Sequence, residues 1–267
     1  MPSDLCGLEQ LVAPYAVDED VETRFLPGYG WLRRWTTTWR FDGEEVVWAA
    51  RDLESVPLFT SQPVGRFGWG TRQRHRPGLQ LMVATGRHHG FESLEEQRLL
   101  LALDFLRVRE VLPQPFRLSF EHSGGRAEHI PDFLAVMVDG GRWVLDVRPR
   151  ARIGDDDELK FAATGELAMA CGWRYAVVTG WRPHVWSVLD ALSAQRRPVD
   201  DPLGLQAELL AAAEAPVAFG ELVQATRLPV VARTHALHLI WHGRLAIELA
   251  EPLSDATLVS TGARWAD

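Results

Sequence analysis

Two aspartates and an arginine in neighbouring segments have residue types and a spacing that suit the hydrolysis of a phosphodiester. Asp132 follows Pro131 at the start of the apolar run FLAVM, and Asp146 lies two residues before Arg148 in RWVLDVR. Because alternate residues of a strand point to the same face, we expect Asp146 and Arg148 to project together. Carboxylate oxygens are the ligands of hard divalent cations, which polarise phosphates and generate hydroxide at neutral pH.

The elements around these residues are predicted to bring the two aspartates together. Gly140-Gly141 lies between the two segments and indicates a turn, so a hairpin would place Asp132 and Asp146 near each other at its open end. Glu96, three residues after Ser93, has the capping-box position of a predicted helix and would add a third carboxylate. Each acid alone is more often a solvated charge than a ligand, so the prediction depends on the joint pattern.

The sequence divides into three predicted regions, residues 1–90, 91–197 and 198–267. In the first, rich in Trp and Arg, WTTTWRF and EEVVWAA flank Asp42-Gly43 and predict a hairpin, which an irregular arm follows. The second has the order helix, three strands, helix, strand, which is typical of a mixed α/β core. The third predicts three short helices followed by a strand and turn, as in a winged helix.

Charge is distributed unevenly along the chain, whose formal net charge is −8. No acidic residue lies between Glu54 and Glu92, and this window predicts a DNA-contacting strip despite the overall acidity. A solvated loop explains the same arginines about equally well. The arginines of the strip are Arg66, Arg72, Arg74, Arg76 and Arg87.

The cellular setting is also predicted from composition. The chain has two cysteines, too few for a disulfide framework, which favours a reducing, cytoplasmic location. No apolar stretch is long enough to cross a bilayer, and the acidic N-terminus does not resemble a signal peptide, so we expect no membrane association. No serine lies in a nucleophile elbow, and the histidines do not have the spacing of a zinc site.

Several longer runs resemble the TnsA-like endonuclease subunits of heteromeric transposases, particularly their actinobacterial branch. The runs are TGRHHGFESLEEQRLLLALDF, QPFRLSF, HIPDFLAVM, VLDVRPRARI and FAAT. The resemblance implies an α/β fold with a restriction-endonuclease-like PD-(D/E)xK core, an N-terminal hairpin and arm, and a C-terminal winged-helix-like domain. It also implies an Mg²⁺-dependent endonuclease, with Mn²⁺ as a substitute, that cuts DNA at transposon ends beside a DDE-type transposase and an AAA+ ATPase.

The resemblance further assigns roles to individual residues. The family's helix glutamate falls on Glu96, and its metal-binding acids fall on Asp132 and Asp146. Nucleases of this fold often add the backbone carbonyl of the following residue, here Val147, as a metal ligand. The resemblance implies supporting roles for Gln114 and His129. Lys160 is an alternative source of the lysine that the family uses in catalysis.

The chain departs from the family pattern at Arg148, which occupies the position of the family's lysine. An arginine binds phosphate bidentately and stabilises charge, but it does not shed a proton as a lysine can. Retained, slower activity is the first interpretation. The alternatives are a catalytically weakened assembly subunit that bridges transposase and ATPase, a restriction or repair nuclease, and a sequence-specific regulator dominated by the winged helix.

Overall fold

The computed structural model describes residues 1–22, 30–65 and 77–263, which form a mixed α/β structure with several sheets. The strands are β1 (Val12–Tyr15), β2 (Thr36–Phe41), β3 (Glu44–Ala49), β4 (Gly78–Met82), β5 (Arg87–Phe91), β6 (Glu110–Pro113), β7 (Arg117–His122), β8 (Gly125–His129), β9 (Phe133–Val136), β10 (Arg142–Val147), β11 (Arg174–Trp181), β12 (Val217–Ala218), β13 (Leu245–Ile247) and β14 (Leu258–Thr261). The helices are α1 (Leu8–Leu11), α2 (Glu19–Glu22), α3 (Trp31–Arg34), α4 (Leu94–Phe105), α5 (Asp155–Ala170), α6 (Val185–Ser193), α7 (Leu205–Ala212), α8 (Phe219–Gln224) and α9 (Pro229–Trp241). Short 3-10 helices span Ala50–Ser55, Leu58–Thr60 and Arg150–Arg152.

The predicted hairpin around Asp42-Gly43 is confirmed. Strands β2 and β3 pair antiparallel, and both turn residues have positive φ, 49° for Asp42 and 86° for Gly43, as a tight two-residue turn requires. β2 also pairs with β7, which gives a four-stranded sheet of order β3-β2-β7-β8. Trp39 is fully buried and packs against Phe116, with ring centroids 5.0 Å apart. Aromatic packing therefore anchors one face of this sheet.

A five-stranded sheet of order β1-β11-β10-β9-β6 contains the two aspartate segments. β9 and β10 form the predicted antiparallel hairpin, with Phe133 opposite Leu145 and a turn through Gly140 at φ 84°. β10 and β11 run parallel, with Asp146 opposite Val177. Parallel neighbours need a long crossover, and α5 supplies it between β10 and β11. β9 is buried along its whole length, which explains its nearly continuous apolar sequence.

The predicted helix after Ser93 is α4, which begins at Leu94. It follows an antiparallel hairpin of β4 and β5, in which Gly78 lies opposite Phe91. A Cβ on Gly78 would approach the Phe91 ring to 2.4 Å, so only glycine fits at this position without a shift of the ring. The predicted turn at Gly124 and the helix at Asp155 are likewise confirmed, as the β7–β8 turn and the start of α5.

The described chain separates into two compact units. One contains Ala13–Leu100 and Arg107–Gly180, where described, and therefore includes all the acidic residues considered above. The other contains Met1–Val12, Leu101–Leu106 and the described residues from Trp181 onward. The three regions predicted from the sequence, with boundaries at residues 90 and 197, stay a prediction of the domain organisation.

The second unit contains α6 to α9 and a three-stranded sheet of order β12-β14-β13. The three predicted short helices and the following strand are present as α7, α8, α9 and β13. Phe105 and Trp241 pack edge to face within this unit, with ring centroids 5.2 Å apart. Among the described residues, no helix is both long enough and apolar enough to span a membrane.

Candidate active site

Asp132 and Asp146 meet at the open end of the β9–β10 hairpin, as the sequence predicts. Phe133 and Leu145 are paired residues of the ladder, so Asp132 and Asp146 occupy the next position outward. The backbone N–H of Val147 donates to Asp132 Oδ2 at 2.7 Å. The carboxylate of one strand is therefore bound by the backbone beside the other.

Two neighbouring side chains bind the carboxylate of Asp146, a residue that is only 3% exposed. His129, the last residue of β8, has its Nε2 at 2.9 and 3.0 Å from the two carboxylate oxygens. Since an ionised carboxylate only accepts, Nε2 is the donor. The phenol of Tyr175, on β11, donates to Oδ2 at 2.6 Å. These two donors offset the cost of burying the charge.

Like charges gather around Asp132. Burial raises the pKa of Asp132 well above its usual range, and the nearby negative charges of Asp146 and Glu96 raise this pKa further. The N–H of Val147 acts in the opposite direction. Among the described residues, no cationic side chain pairs with the Asp132 carboxylate. In the described part of the chain, the negative charges near Asp132 are therefore not balanced by a cationic side chain at its carboxylate.

Glu96 lies at the N-terminus of α4, where its backbone N–H forms one of the two hydrogen bonds of the predicted capping box with Ser93, while its side chain accepts from the Glu92 N–H in place of the Ser93 N–H. The Ser93 hydroxyl donates to Glu96 Oε1 at 2.8 Å, and the N–H of Glu92 donates to Oε2 at 2.8 Å. The N–H of Glu96 in turn donates to the Ser93 hydroxyl at 3.2 Å. Glu96 thus caps the helix. Its charge also contributes to the raised pKa of Asp132.

Arg148 follows β10, but its guanidinium contacts a different acid. Its Nη2 lies 3.2 Å from Asp157 Oδ2 in the first turn of α5, and the side chain is 45% exposed. The backbone N–H of Arg148 donates to the carbonyl of Val178 at 3.0 Å. The side chain is therefore positioned at the start of α5 and accessible to solvent.

The residues with predicted supporting roles occupy three different settings. His129 binds Asp146, as described above. The backbone N–H of Gln114 donates to the carbonyl of Asp132 at 2.8 Å, and Gln114 itself has a positive φ of 45°. Lys160 is half-buried within α5. The next residue, Phe161, packs against the His129 ring with centroids 6.0 Å apart.

The arginines predicted to contact DNA are described only in part. Arg66, Arg72, Arg74 and Arg76 lie outside the described residues. Arg87, on β5, forms an ion pair with the buried carboxylate of Glu110 while its own side chain stays 55% exposed. A half-exposed guanidinium beside a single buried acid still has donors that face solvent.

The residue types of Asp132, Asp146 and Glu96 suit a divalent cation, but their side chains are not arranged to bind one. Carboxylates are the ligand type that Mg²⁺ prefers, and the negative charges of Asp146 and Glu96 help to raise the pKa of Asp132. Within residues 1–22, 30–65 and 77–263, however, no three His, Cys, Asp or Glu side chains are grouped so that they could hold a metal ion. The oxygens of Asp146 and Glu96 point instead to their hydrogen-bond donors.

No family model matches this chain, and no curated protein matches it. The likeness to TnsA-like endonucleases therefore stays a prediction from the sequence motifs, as do the roles assigned to the individual acids.

Tyr175 is the site residue that sequence reasoning missed. The segment RYAVVTG predicts a buried strand, and its tyrosine is the only polar-tipped aromatic in it. Tyr175 lies two residues before Val177, which pairs with Asp146, so both side chains share one face of the sheet. Tyr175 is recognised as a neighbour of Asp146 only from the strand order, which the sequence does not give.

Proposed function

We propose that the chain is a metal-dependent DNA endonuclease of the PD-(D/E)xK type, the cleaving subunit of a heteromeric transposase. It would hydrolyse a phosphodiester bond in one DNA strand at transposon ends. The five-stranded sheet with α4 and α5 would form the restriction-endonuclease-like core, and α7 to α9 with β13 would form a winged-helix-like domain. The proposed setting is the cytoplasm, with DNA, a DDE-type transposase and an AAA+ ATPase as partners.

The observation that carries the proposal is the adjacency of Asp132 and Asp146, which lie one position beyond the Phe133–Leu145 pair of the hairpin. Two carboxylates at adjacent register positions repel each other when both are ionised, and such an arrangement is costly to folding. Burial raises the pKa of Asp132 and makes the cost larger. A fold that keeps this pair together is best explained by a cation that both acids bind during function.

The residues that would hold the ion are Glu96, Asp132 and Asp146, with the carbonyl of Val147. When bound, a divalent cation would polarise the phosphate and supply hydroxide at neutral pH. His129 and Tyr175 orient Asp146, because both donate to its carboxylate. To bind the ion, the Glu96 carboxylate would have to leave the Ser93 hydroxyl and the Glu92 N–H, which requires a rotation of the Glu96 side chain.

Arg148 would bind the scissile phosphate. Its guanidinium is half-exposed and paired with one acid, Asp157, so a phosphate oxygen can replace or join that carboxylate. Phosphate binding by a planar guanidinium is bidentate and stabilises the charge that develops on the transferred group. The proton transfer that a lysine could perform would fall to solvent.

A plasmid-nicking assay tests this function. We expect the full chain, with its partners added where needed, to nick supercoiled DNA in Mg²⁺ or Mn²⁺, and the Asp132→Asn variant to lose this activity. Asp139→Asn is the matched control, because Asp139 is exposed in the turn of the same hairpin. Equal nicking by the Asp132→Asn variant would refute the proposed site.

A second candidate is a catalytically weakened subunit that bridges transposase and ATPase. Two observations favour it: Arg148 contacts Asp157, and both oxygens of Asp146 already accept hydrogen bonds. This candidate predicts no metal-dependent nicking even with the partners present. A restriction or repair nuclease, the third candidate, predicts nicking that does not depend on transposon ends or on a transposase.

A further inference from the structure

A cavity of about 420 Å³ lies beside the β4–β5 hairpin. Its volume falls within the ~300–1,000 Å³ that ligand pockets of proteins occupy. The walls are mainly apolar and come from the 3-10 helix Leu58–Thr60 with the residues that follow it, and from β4, β5 and β6. They include Phe59, Pro63, Leu79, Leu112 and Pro113. The cavity therefore has room for a flat organic group of the size of a nucleoside.

Two arginines and one glutamate lie in or next to the lining of the cavity: Arg87, Arg109 and Glu110. Glu110 lines the cavity but is only 5% exposed, and it is paired with Arg87. Its Oε1 also accepts the N–H of Val111 at 2.9 Å, so both carboxylate oxygens have donors. Arg109 is exposed, and its guanidinium lies 5.3 Å from the centroid of the Phe59 ring. Among the described residues of the lining, Glu110 is the only acid, and it is neutralised.

Large apolar groups are exposed at the mouth of the cavity. Phe59 is 52% exposed and Leu79 is 61% exposed, which is unusual for residues of their size that line a cavity. Leu79 belongs to β4, which pairs only with β5 in the part of the chain that the structure describes. Apolar surface next to guanidinium groups suits a ligand that is flat and apolar on one side and anionic on the other.

One wall of the cavity continues directly into the acidic site. Pro113 lines the cavity and pairs with Phe133, the residue after Asp132. The N–H of the next residue, Gln114, donates to the carbonyl of Asp132 at 2.8 Å. The cavity and the paired aspartates therefore share the end of β6, within the same compact unit.

We propose that this cavity binds one unstacked base of a DNA strand, with the adjoining phosphate at Arg87 and Arg109. The inference rests on the proposed function and names the part of the substrate that is read beside the cleavage site. A base has an apolar face for Phe59, and its phosphate needs the cations of the mouth. An enzyme that acts on DNA can take a base out of the stack at a cost of a few kcal/mol. The acid-free sequence between Glu54 and Glu92 favours an anionic ligand over a neutral one.

The test uses single-stranded oligonucleotides that carry 2-aminopurine at successive positions, with the full chain in EDTA so that no cleavage occurs. We expect a fluorescence change at one position when the chain binds. The Phe59→Ala variant should lower affinity about tenfold, which is the usual loss for one aromatic stacking contact. Phe59→Tyr, which keeps the ring, should restore the affinity. Leu79→Asp, which adds a negative charge, should also weaken binding.

Val138→Ala serves as the control for exposed apolar surface, because Val138 is 72% exposed in the β9–β10 turn and does not line the cavity. Its affinity should equal that of the unmodified chain. If the Phe59→Ala and Leu79→Asp variants bind as tightly as the control and give the same fluorescence, the cavity assignment is wrong, whatever the nicking assay shows. If the fluorescence result holds but nicking survives Asp132→Asn, the proposed active site fails and the base site stands.

Discussion

The phenolic hydroxyl of Tyr175 donates to Asp146 Oδ2 at 2.6 Å from the strand that runs parallel beside β10. Burial raises the pKa of Tyr175 well above its usual range, and Asp146 raises this pKa further, so the phenol remains a donor at neutral pH. His129 binds the same carboxylate from β8. Strands of two different sheets thus determine the orientation of one acid.

Removing this hydroxyl tests whether the orientation of Asp146 matters. We expect Tyr175→Phe to lower the nicking rate about tenfold and the free energy of unfolding by roughly 1.5–3 kcal/mol, the range for hydrogen bonds to charged groups. Plasmid nicking and urea unfolding measure the two effects. Tyr15→Phe is the matched control, because Tyr15 hydrogen-bonds to the carboxylate of Glu158 away from the aspartate pair. A nicking rate that is the same for both variants would show that Tyr175 has no positioning role.

Arg148 is the second position at which a conservative change is informative. Arg148→Lys restores the residue type that the family resemblance implies, and we expect nicking to rise severalfold. Arg148→Ala removes the phosphate-binding group and should lower nicking at least tenfold. The control is Arg126→Lys, a 73% exposed arginine on β8. Nicking that is unchanged in Arg148→Ala would contradict phosphate binding by this side chain.

Much of the site could be predicted from the sequence because its signals are local. The Asp42-Gly43 turn, the Ser93–Glu96 capping box and the Gly140 turn each depend on residues a few positions apart. The adjacency of Asp132 and Asp146 follows from that last turn, since the register of a hairpin is set by its loop. Local signals therefore predicted the hairpin that brings Asp132 and Asp146 next to each other.

The parts that could not be predicted depend on contacts between distant segments. Tyr175 reaches Asp146 only because β11 lies beside β10, and His129 does so from β8 of another sheet. The two-residue strand β12 contains only Val217 and Ala218 and is too short to produce an alternating pattern. The ion pair of Arg148 with Asp157 links a strand end to a helix start nine residues on. Sequence periodicity has no information on such pairings.

The lowered pKa of His89 makes the free energy of unfolding depend on pH. Burial lowers the pKa of His89 to about 4, and Arg87 nearby contributes to the decrease. In the unfolded chain the ring takes up its proton near pH 6.5, so the unfolded state binds more protons between these values. We therefore expect the free energy of unfolding to fall as the pH is lowered from about 6.5 towards 4. Urea titrations at pH 7.5, 5.5 and 4.5 measure this slope.

Substitution of His89 should remove its part of that slope. His89→Gln keeps an amide for the contact that His89 Nε2 makes with the Thr85 hydroxyl at 2.8 Å, but it does not titrate. We expect a smaller loss of stability on acidification than in the unmodified chain. His88→Gln, at the exposed neighbouring position, is the control and should leave the slope nearly unchanged. A His89→Gln slope equal to that of the unmodified chain would assign the acid sensitivity to other groups.

Gly65 and Gln114 provide a test of how tightly the backbone beside Asp132 is packed. A Cβ on Gly65 would lie 1.8 Å from Gln114 Oε1, an oxygen that is buried and has no hydrogen-bond partner among the described residues. Gly65→Ala must therefore displace the Gln114 amide, and we expect a loss of about 1–2 kcal/mol in unfolding free energy. Nicking should fall as well, because the Gln114 N–H binds the Asp132 carbonyl at 2.8 Å.

A double-mutant cycle separates this clash from a general effect of alanine. Gln114→Ala removes the displaced amide, so the double variant should be less destabilised than the sum of the two single variants. Gly180→Ala is the control, because no atom of the described residues lies within 4 Å of a Cβ built at that position, and its effect should stay within about 1 kcal/mol. Strict additivity of Gly65→Ala and Gln114→Ala would mean that the two residues do not constrain each other. Gly65 would then not influence the Asp132 backbone through Gln114.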